Sequence, residues 1–234
     1  SFTTLSTGGF SGYDASIGYY ATNGFKNSVL IEYVVTFFMF LGGVNFLLHY
    51  RLFTKDYDSI KNNSEFRTFL KIILYSTLFI SVIIIILNTA AGSTAEEIFR
   101  KTIFQVTSII TTTGFGTQSI NSTFFPAAAR QLFIVFMLIG GSVGSTAGGI
   151  KVMRLNILGG LFKREVKKIY LPNRAVLPVT LDNKIIRSDE INKLTGLFSF
   201  WLVLILIGGV ITSVFSDLDG WQAFSGMFSA MGNI

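Results

Sequence analysis

Four apolar runs dominate this chain and dictate its solvent. They cover 28–48, 72–87, 127–140 with a continuation over 150–162, and 194–215. A helix needs about 20 mostly apolar residues to cross the hydrocarbon core of a bilayer. The first and fourth runs have that length, and the second reaches it with its flanks, Lys71 and Asn88. The third is broken by Gly140-Gly141-Ser142-Val143-Gly144-Ser145-Thr146-Ala147-Gly148-Gly149, with five glycines in ten residues. Each interior glycine costs a helix roughly 1 kcal/mol against alanine, so this stretch is not expected to be regular helix. Only 14% of the residues are charged, against about 25% in a soluble domain. Together with the clustered apolar runs, this makes the chain an integral membrane protein. Backbone polar groups in hydrocarbon must be satisfied internally, so the expected fold class is an all-α polytopic membrane protein. There is no Cys and a single His, His49, which excludes a thiol nucleophile, a disulfide framework and a Cys/His zinc site. His49 lies at the polar end of the first run and reads as an interfacial residue.

Two polar tracts interrupt the apolar chain, and they look alike. One is Leu5-Ser6-Thr7-Gly8-Gly9-Phe10-Ser11, the other Thr111-Thr112-Thr113-Gly114-Phe115-Gly116-Thr117. Hydroxyl residues followed by Gly are costly at membrane depth unless they line something wet. A cation leaving water must have its hydration shell replaced, and backbone carbonyls do this without a net charge that would trap the ion. Gly supplies the unusual dihedrals such a loop needs at least cost, and Thr and Ser can add hydroxyl oxygens. Two amphipathic segments, 94–110 and 220–231, are too short to span. Ser93 with Glu96 fits a capping box, and Asp217 and Asp219 give the second segment an acidic start. The first leads straight into the second polar tract, where its C-terminal dipole would present partial negative charge to an ion.

The order is span, short helix, polar loop, span. Residues 72–162 make one complete copy, 1–48 the end of an earlier copy and 194–234 the start of a later one. Basic residues orient the arrangement. Arg51, Lys55, Lys61, Arg67 and Lys71 lie between the first two runs. Lys151, Arg154, Lys163, Arg164, Lys167, Lys168, Arg174, Lys184, Arg187 and Lys193 lie between the last two. Lys26, Arg100, Lys101 and Arg130 fall on the other side. The crowded side is the expected cytoplasmic one, which places both polar tracts outside. The net charge of +6 thus follows from membrane topology, and no nucleic-acid partner is implied. The Gly-rich run at 140–149 has two readings. One is a small-residue helix-packing surface; the other, which its length and its Ser142, Ser145 and Thr146 favour, is a mobile loop within a broken helix. A hairpin is expected over 176–186 around Asp182-Asn183. The chain opens inside a motif at Ser1-Phe2-Thr3-Thr4 and stops at Met231-Gly232-Asn233-Ile234; it is expected to be a fragment. An enzyme would need an acid–base pair, nucleophile or metal cluster at membrane depth, and the runs hold almost no ionisable residue besides Glu32.

These tracts, with GGSVGSTAGGIKV at 140–152, resemble the Trk/Ktr/HKT superfamily of potassium transporters, most of all its TrkH branch of bacterial membrane pore subunits. The resemblance covers essentially the whole chain. It implies span–pore helix–filter loop–span units repeated around a central ion pore. Residues 1–50 would close repeat two, 51–71 form a cytoplasmic linker and 72–165 hold repeat three. Residues 166–193 would be a cytoplasmic basic segment with the hairpin, and 194–234 would begin repeat four. Gly8 and Gly114 resemble the filter glycines, preceded by Thr7 and by Thr112-Thr113, and followed by Gly9 and Phe115. Potassium would lie at Thr7, Gly8, Thr113 and Gly114, with no organic cofactor. Gly140, Gly141, Ser142, Gly144, Ser145, Thr146, Gly148 and Gly149 would form the gate beneath the filter. The implied function is potassium uptake across the bacterial inner membrane by a multi-pass protein. The implied partners are the lipid bilayer, a second copy in a homodimer, and a TrkA-like nucleotide-binding cytosolic subunit. The alternatives are a secondary transporter with a midplane cation site, or a sodium-permeable member of the same superfamily.

Overall fold

The computed structural model describes residues 2–171, 177–182 and 184–234. Among these the chain is almost wholly helical: α1 (Phe2–Leu5), α2 (Gly18–Thr22), α3 (Ser28–Gly43), α4 (Phe46–Phe53), α5 (Tyr57–Lys61), α6 (Ser64–Ile86), α7 (Ala95–Ile110), α8 (Ala127–Met137), α9 (Val152–Lys168), α10 (Ser188–Phe215) and α11 (Gly220–Gly232). The only strands among the described residues are β1 (Thr180–Leu181) and β2 (Lys184–Ile185), an antiparallel pair turning at Asp182. Asn183, Val176 and Arg174, which enter the hairpin and charge expectations, lie outside the described residues.

Helices α6 and α10 are long and apolar enough to cross a membrane. At 23 residues α6 is about 35 Å long. Its buried stripe, Phe69, Ile73, Thr77, Ile80 and Ile84, follows the three-to-four spacing of one helical face. Leu74, Tyr75, Leu78, Phe79, Val82, Ile85 and Ile86 on its other sides are exposed. Such a surface suits lipid. The stripe packs on Ile98, Val106, Ile109 and Ile110 of α7, together with Phe124, Phe125 and Phe133. Helix α7 therefore sits inside the fold, with Thr102, Gln105, Thr107 and Ser108 buried along with its apolar residues. The Thr94 side chain caps α7 by accepting from Glu97 N–H at 3.2 Å, one residue later than the Ser93–Glu96 pairing expected. Asp219 and Gln222 form a reciprocal capping box on α11.

The run at 28–48 is not one straight span. It breaks after Gly43, and α4 leaves α3 at 104°. A helix end strands its last carbonyls, and here each of the last three finds a donor. Leu41 O accepts from Val44 N–H at 3.1 Å and from His49 Nε2 at 3.0 Å. Gly42 O accepts from Thr146 N–H (3.3 Å) and its hydroxyl (3.1 Å). Gly43 O accepts from Ser142 N–H at 2.8 Å. His49 thus serves the break itself. No side chain fits at Gly43, where a Cβ would lie 2.8 Å from both Phe69 Cζ and Thr111 Cγ2. The third run is also broken. Helix α8 stops at Met137, and a parallel bridge between Ile139 and Ile150 closes the Gly-rich loop at its base. Helix α9 then resumes at Val152.

Candidate functional site

Helices α1 and α7 end in loops built on one bonding scheme. Gly8 and Gly9 N–H both donate to Thr3 O, at 2.9 and 3.3 Å; Thr113 and Gly114 N–H both donate to Ser108 O, at 2.8 and 3.5 Å. Thr7 and Thr112 are left-handed, with φ of 51° and 54°, and so are Gly9 and Gly114, at 63° and 80°. The Thr3 hydroxyl donates to Phe10 O at 3.1 Å, and the Ser108 hydroxyl to Phe115 O at 2.6 Å. These bonds align Thr3 with Ser108, Thr7 with Thr112, Gly8 with Thr113 and Gly9 with Gly114. The pairing of Gly8 with Gly114 read from the sequence is therefore one residue out of register. It counted from the first glycine, while the backbone reserves its second left-handed position for Gly9. Helix α11 starts the same pattern: Asn233 is left-handed with φ 64°, and Ile234 N–H donates to Ser229 O at 3.1 Å.

The three loops touch. A Cβ on Gly9 would overlap the Thr113 carbonyl oxygen, and one on Gly114 would lie 3.6 Å from the Ile234 carbonyl carbon. Thr7, Thr112 and Thr113 are buried, whereas Gly8 and Gly114 are exposed. The Thr113 hydroxyl shares a 2.8 Å bond with the Thr111 hydroxyl, which also donates to Thr107 O at 2.7 Å. The Phe115 ring belongs to a buried cluster with Ile17, Met39 and Phe104, so its side chain anchors the loop while its carbonyl is held by Ser108. Gly18 N–H donates to Gly116 O at 3.1 Å, which ties α2 to the second loop.

Against these loops, 140–149 is an irregular closed loop bonded to its neighbours on three sides, with the buried Ser142 hydroxyl left without a partner. Ser142 and Thr146 bond the α3 end as described. Gly148 N–H donates to the Thr112 hydroxyl at 2.6 Å, and the Thr146 hydroxyl also reaches Leu5 O at 3.0 Å. On the third side, Glu65 Oε1 accepts from Val143 N–H at 2.7 Å and Met153 N–H at 3.1 Å. A Cβ on Gly148 would come within 2.7 Å of Gly232 O. Lys151 Nζ donates to Ala147 O. The Ser145 hydroxyl stays within the loop, donating to Ser142 O at 2.6 Å, and Gly144 O accepts from Phe46 N–H at 3.0 Å. Gly140 N–H pairs with Ile150 O at 2.8 Å, and Gly141 O accepts from Val152 N–H at 3.1 Å. Gly149 is left-handed, with φ 62°. The loop is thus irregular backbone and not helix.

The model of the TrkH family, described as a cation transport protein, matches residues 1–234. The chain belongs to the TrkH family. It is 31% identical over its whole length to the Trk system potassium uptake protein TrkH of Escherichia coli K12, covering 46% of that protein. It is 32% identical to the Trk system potassium uptake protein TrkG of the same organism, over 88% of this chain and 41% of that one. The crystal structure of the potassium transporter TrkH from Vibrio parahaemolyticus superposes with a TM-score of 0.86 at 27% identity, covering 99% of this chain and 48% of that one. The chain spans about half the length of these TrkH-family relatives. The chain is a helical, multi-pass membrane protein of this family, and the relatives named above are described as potassium uptake proteins.

Three features of the site were not anticipated. Glu65 was grouped with the linker at 51–71, yet it is 7% exposed and bonds the loop. Its sequence signal was weak: one acid in the first turn of a helix is common. The break at Gly42-Gly43 was also missed, although paired glycines before Asn45, which caps α4 through Leu47 N–H, offered a cue. The third feature is Arg100, buried at 8% exposure between Glu32 of α3 and Glu96. From the sequence it is only one of the few cations expected on the outer side.

Proposed function

We propose that this chain supplies part of a potassium-conducting pore, in which the loops after α1, α7 and α11 form adjacent walls of a selectivity filter. The observation that carries this reading is the shared register of the three loops and their mutual contact through Gly9, Thr113, Gly114 and Ile234. Three helices point their C-terminal ends at one place, where partial negative charge favours a cation. Potassium would be coordinated by carbonyls of the aligned positions Thr7 to Gly9 and Thr112 to Gly114. The units containing them are repeats of one design. Relatives named potassium uptake proteins support potassium as the transported ion.

The 140–149 loop is the gate in this proposal. It lies against the three loops, packed on their ends and tied to its neighbours by hydrogen bonds. The hairpin and the basic end of α9 form the cytoplasmic docking face for a TrkA-like regulatory subunit, and a second copy completes a homodimer. At that end Glu165 is bonded to Lys168 and Arg164, which hold its carboxyl below the ordinary range. A carrier with a midplane site between broken helices is disfavoured by three loops converging on one place. Unitary currents too large for a carrier would separate the two.

Two measurements on the full-length protein in liposomes test the reading. Gly114→Ser should lower the potassium-over-sodium permeability ratio, because φ of 80° is strained for any residue with a Cβ. An unchanged ratio in a folded variant would sink the filter assignment. Shortening the loop within 142–147 should raise basal flux; unchanged flux would make the loop a packing element.

A further inference from the structure

A buried carboxylate needs partners or it neutralises, and those of Glu65 are telling. Both of its observed bonds go to the Gly-rich loop and the helix that follows it. Val143 lies inside the loop, and Met153 lies in the first turn of α9. Glu65 is also in the first turn of its own helix, α6. The carboxylate therefore sits at two helix N-termini at once, where unsatisfied N–H groups and both macrodipoles favour negative charge. The bond to Val143 spans 78 residues of sequence, and it fastens the loop to a long apolar helix. No other side chain on α6 bonds the loop among the described hydrogen bonds. Its neighbour Ser64 donates its N–H to Asp182 Oδ1 in the hairpin turn at 3.2 Å, so the hairpin meets α6 one residue from this anchor.

We infer that Glu65 is the positioning residue that holds the intramembrane loop shut, by tying Val143 and the start of α9 to α6. The inference rests on the gate reading above. On it, opening requires the Val143 bond to break, and movement of the hairpin against Ser64 is placed to help break it. Among the described hydrogen bonds Glu65 reaches none of the three filter loops, so it should govern how often the pore is open and leave ion preference alone.

The test uses the full-length protein, reconstituted without its regulatory subunit, with potassium flux as readout beside the loop-shortened variant. Glu65→Ala should raise basal flux by about tenfold, the effect of losing one charge-assisted hydrogen bond on a two-state equilibrium, at an unchanged potassium-over-sodium ratio. Glu65→Gln keeps an acceptor oxygen at the same reach and should recover most of the tightness. Ser142 is fully buried, so with any cysteines outside residues 1–234 replaced, Ser142→Cys reports loop exposure through its rate of modification by a thiol reagent. That rate should rise with Glu65→Ala or the shorter Glu65→Asp and fall back with Glu65→Gln; Glu65→Asp serves if the alanine variant fails to fold. If the shortened loop leaks while Glu65→Ala and Glu65→Asp neither leak nor expose position 142, the anchor is overturned and the gate stands. If neither leaks, the gate reading falls and the anchor with it. A leak that Glu65→Gln does not reduce would also overturn the anchor.

Discussion

Gly9→Ala in the full-length protein is expected to abolish selective potassium flux, while Gly8→Ala retains most of it. The two glycines are adjacent in sequence but stand in different surroundings. At Gly9 the φ of 63° is left-handed, which costs a residue with a Cβ roughly 1–2 kcal/mol before any contact is counted. The contact is worse, since the added methyl would overlap the Thr113 carbonyl oxygen. Two loops would have to part, and the carbonyl that must move belongs to the wall next door. At Gly8 the nearest atoms are the Phe10 ring at 3.3 Å and the Ser6 hydroxyl at 3.4 Å, both ends of side chains that can turn. Its counterpart in the second loop is Thr113, so the scaffold already carries a Cβ at that position. Potassium and sodium permeability of both variants should be compared in liposomes. Selectivity lost with Gly8→Ala and kept with Gly9→Ala would restore the register first read from the sequence.

Arg100→Ala should be the most destabilising single change, by about 3–5 kcal/mol, the usual cost of leaving a buried charge unpaired. Glu32 is 1% exposed and Arg100 8%, and they pair directly. Arg100 also bonds Glu96 at 2.9 Å, and the Tyr33 hydroxyl donates to the same Glu96 oxygen at 2.9 Å. The pair joins α3, whose far end cradles the Gly-rich loop, to α7, whose far end carries the second loop. Removing both partners with Glu32→Ala and Arg100→Ala should recover most of the loss, because no charge is then stranded. Thermal unfolding of the four proteins of this cycle in detergent gives the answer. A double variant no more stable than Arg100→Ala would show that the arginine acts through Glu96 or through packing instead.

How much was legible depends on the kind of interaction. Helices α7 and α11 were visible through amphipathic patterning and acidic starts, and α10 through the length of its apolar run, because these are local signals. So was the interruption after Met137, since a run so rich in glycine is a poor helix on its own. The break at Gly43 was less visible, because the apolar run continues through Phe46, Leu47 and Leu48 and nothing local demands a turn. Its cause is distant: Ser142 and Thr146 take the Gly43 and Gly42 carbonyls, about 100 residues away. Glu65 was unreadable for the same reason, as was the partner of Arg100.

The sequence alone determined the solvent, the helical class, the two like tracts and the irregular Gly-rich run. These follow from composition and from short-range backbone cost, which neighbouring residues decide. Only the tertiary structure decided which glycine of the first tract matches Gly114, where the first span bends, and what fastens the loop. Each of those depends on carbonyls and N–H groups from separate helices meeting at one place. Hydrogen bonds over such separations leave no periodic mark in the chain, only residues that look ordinary until their partners are found.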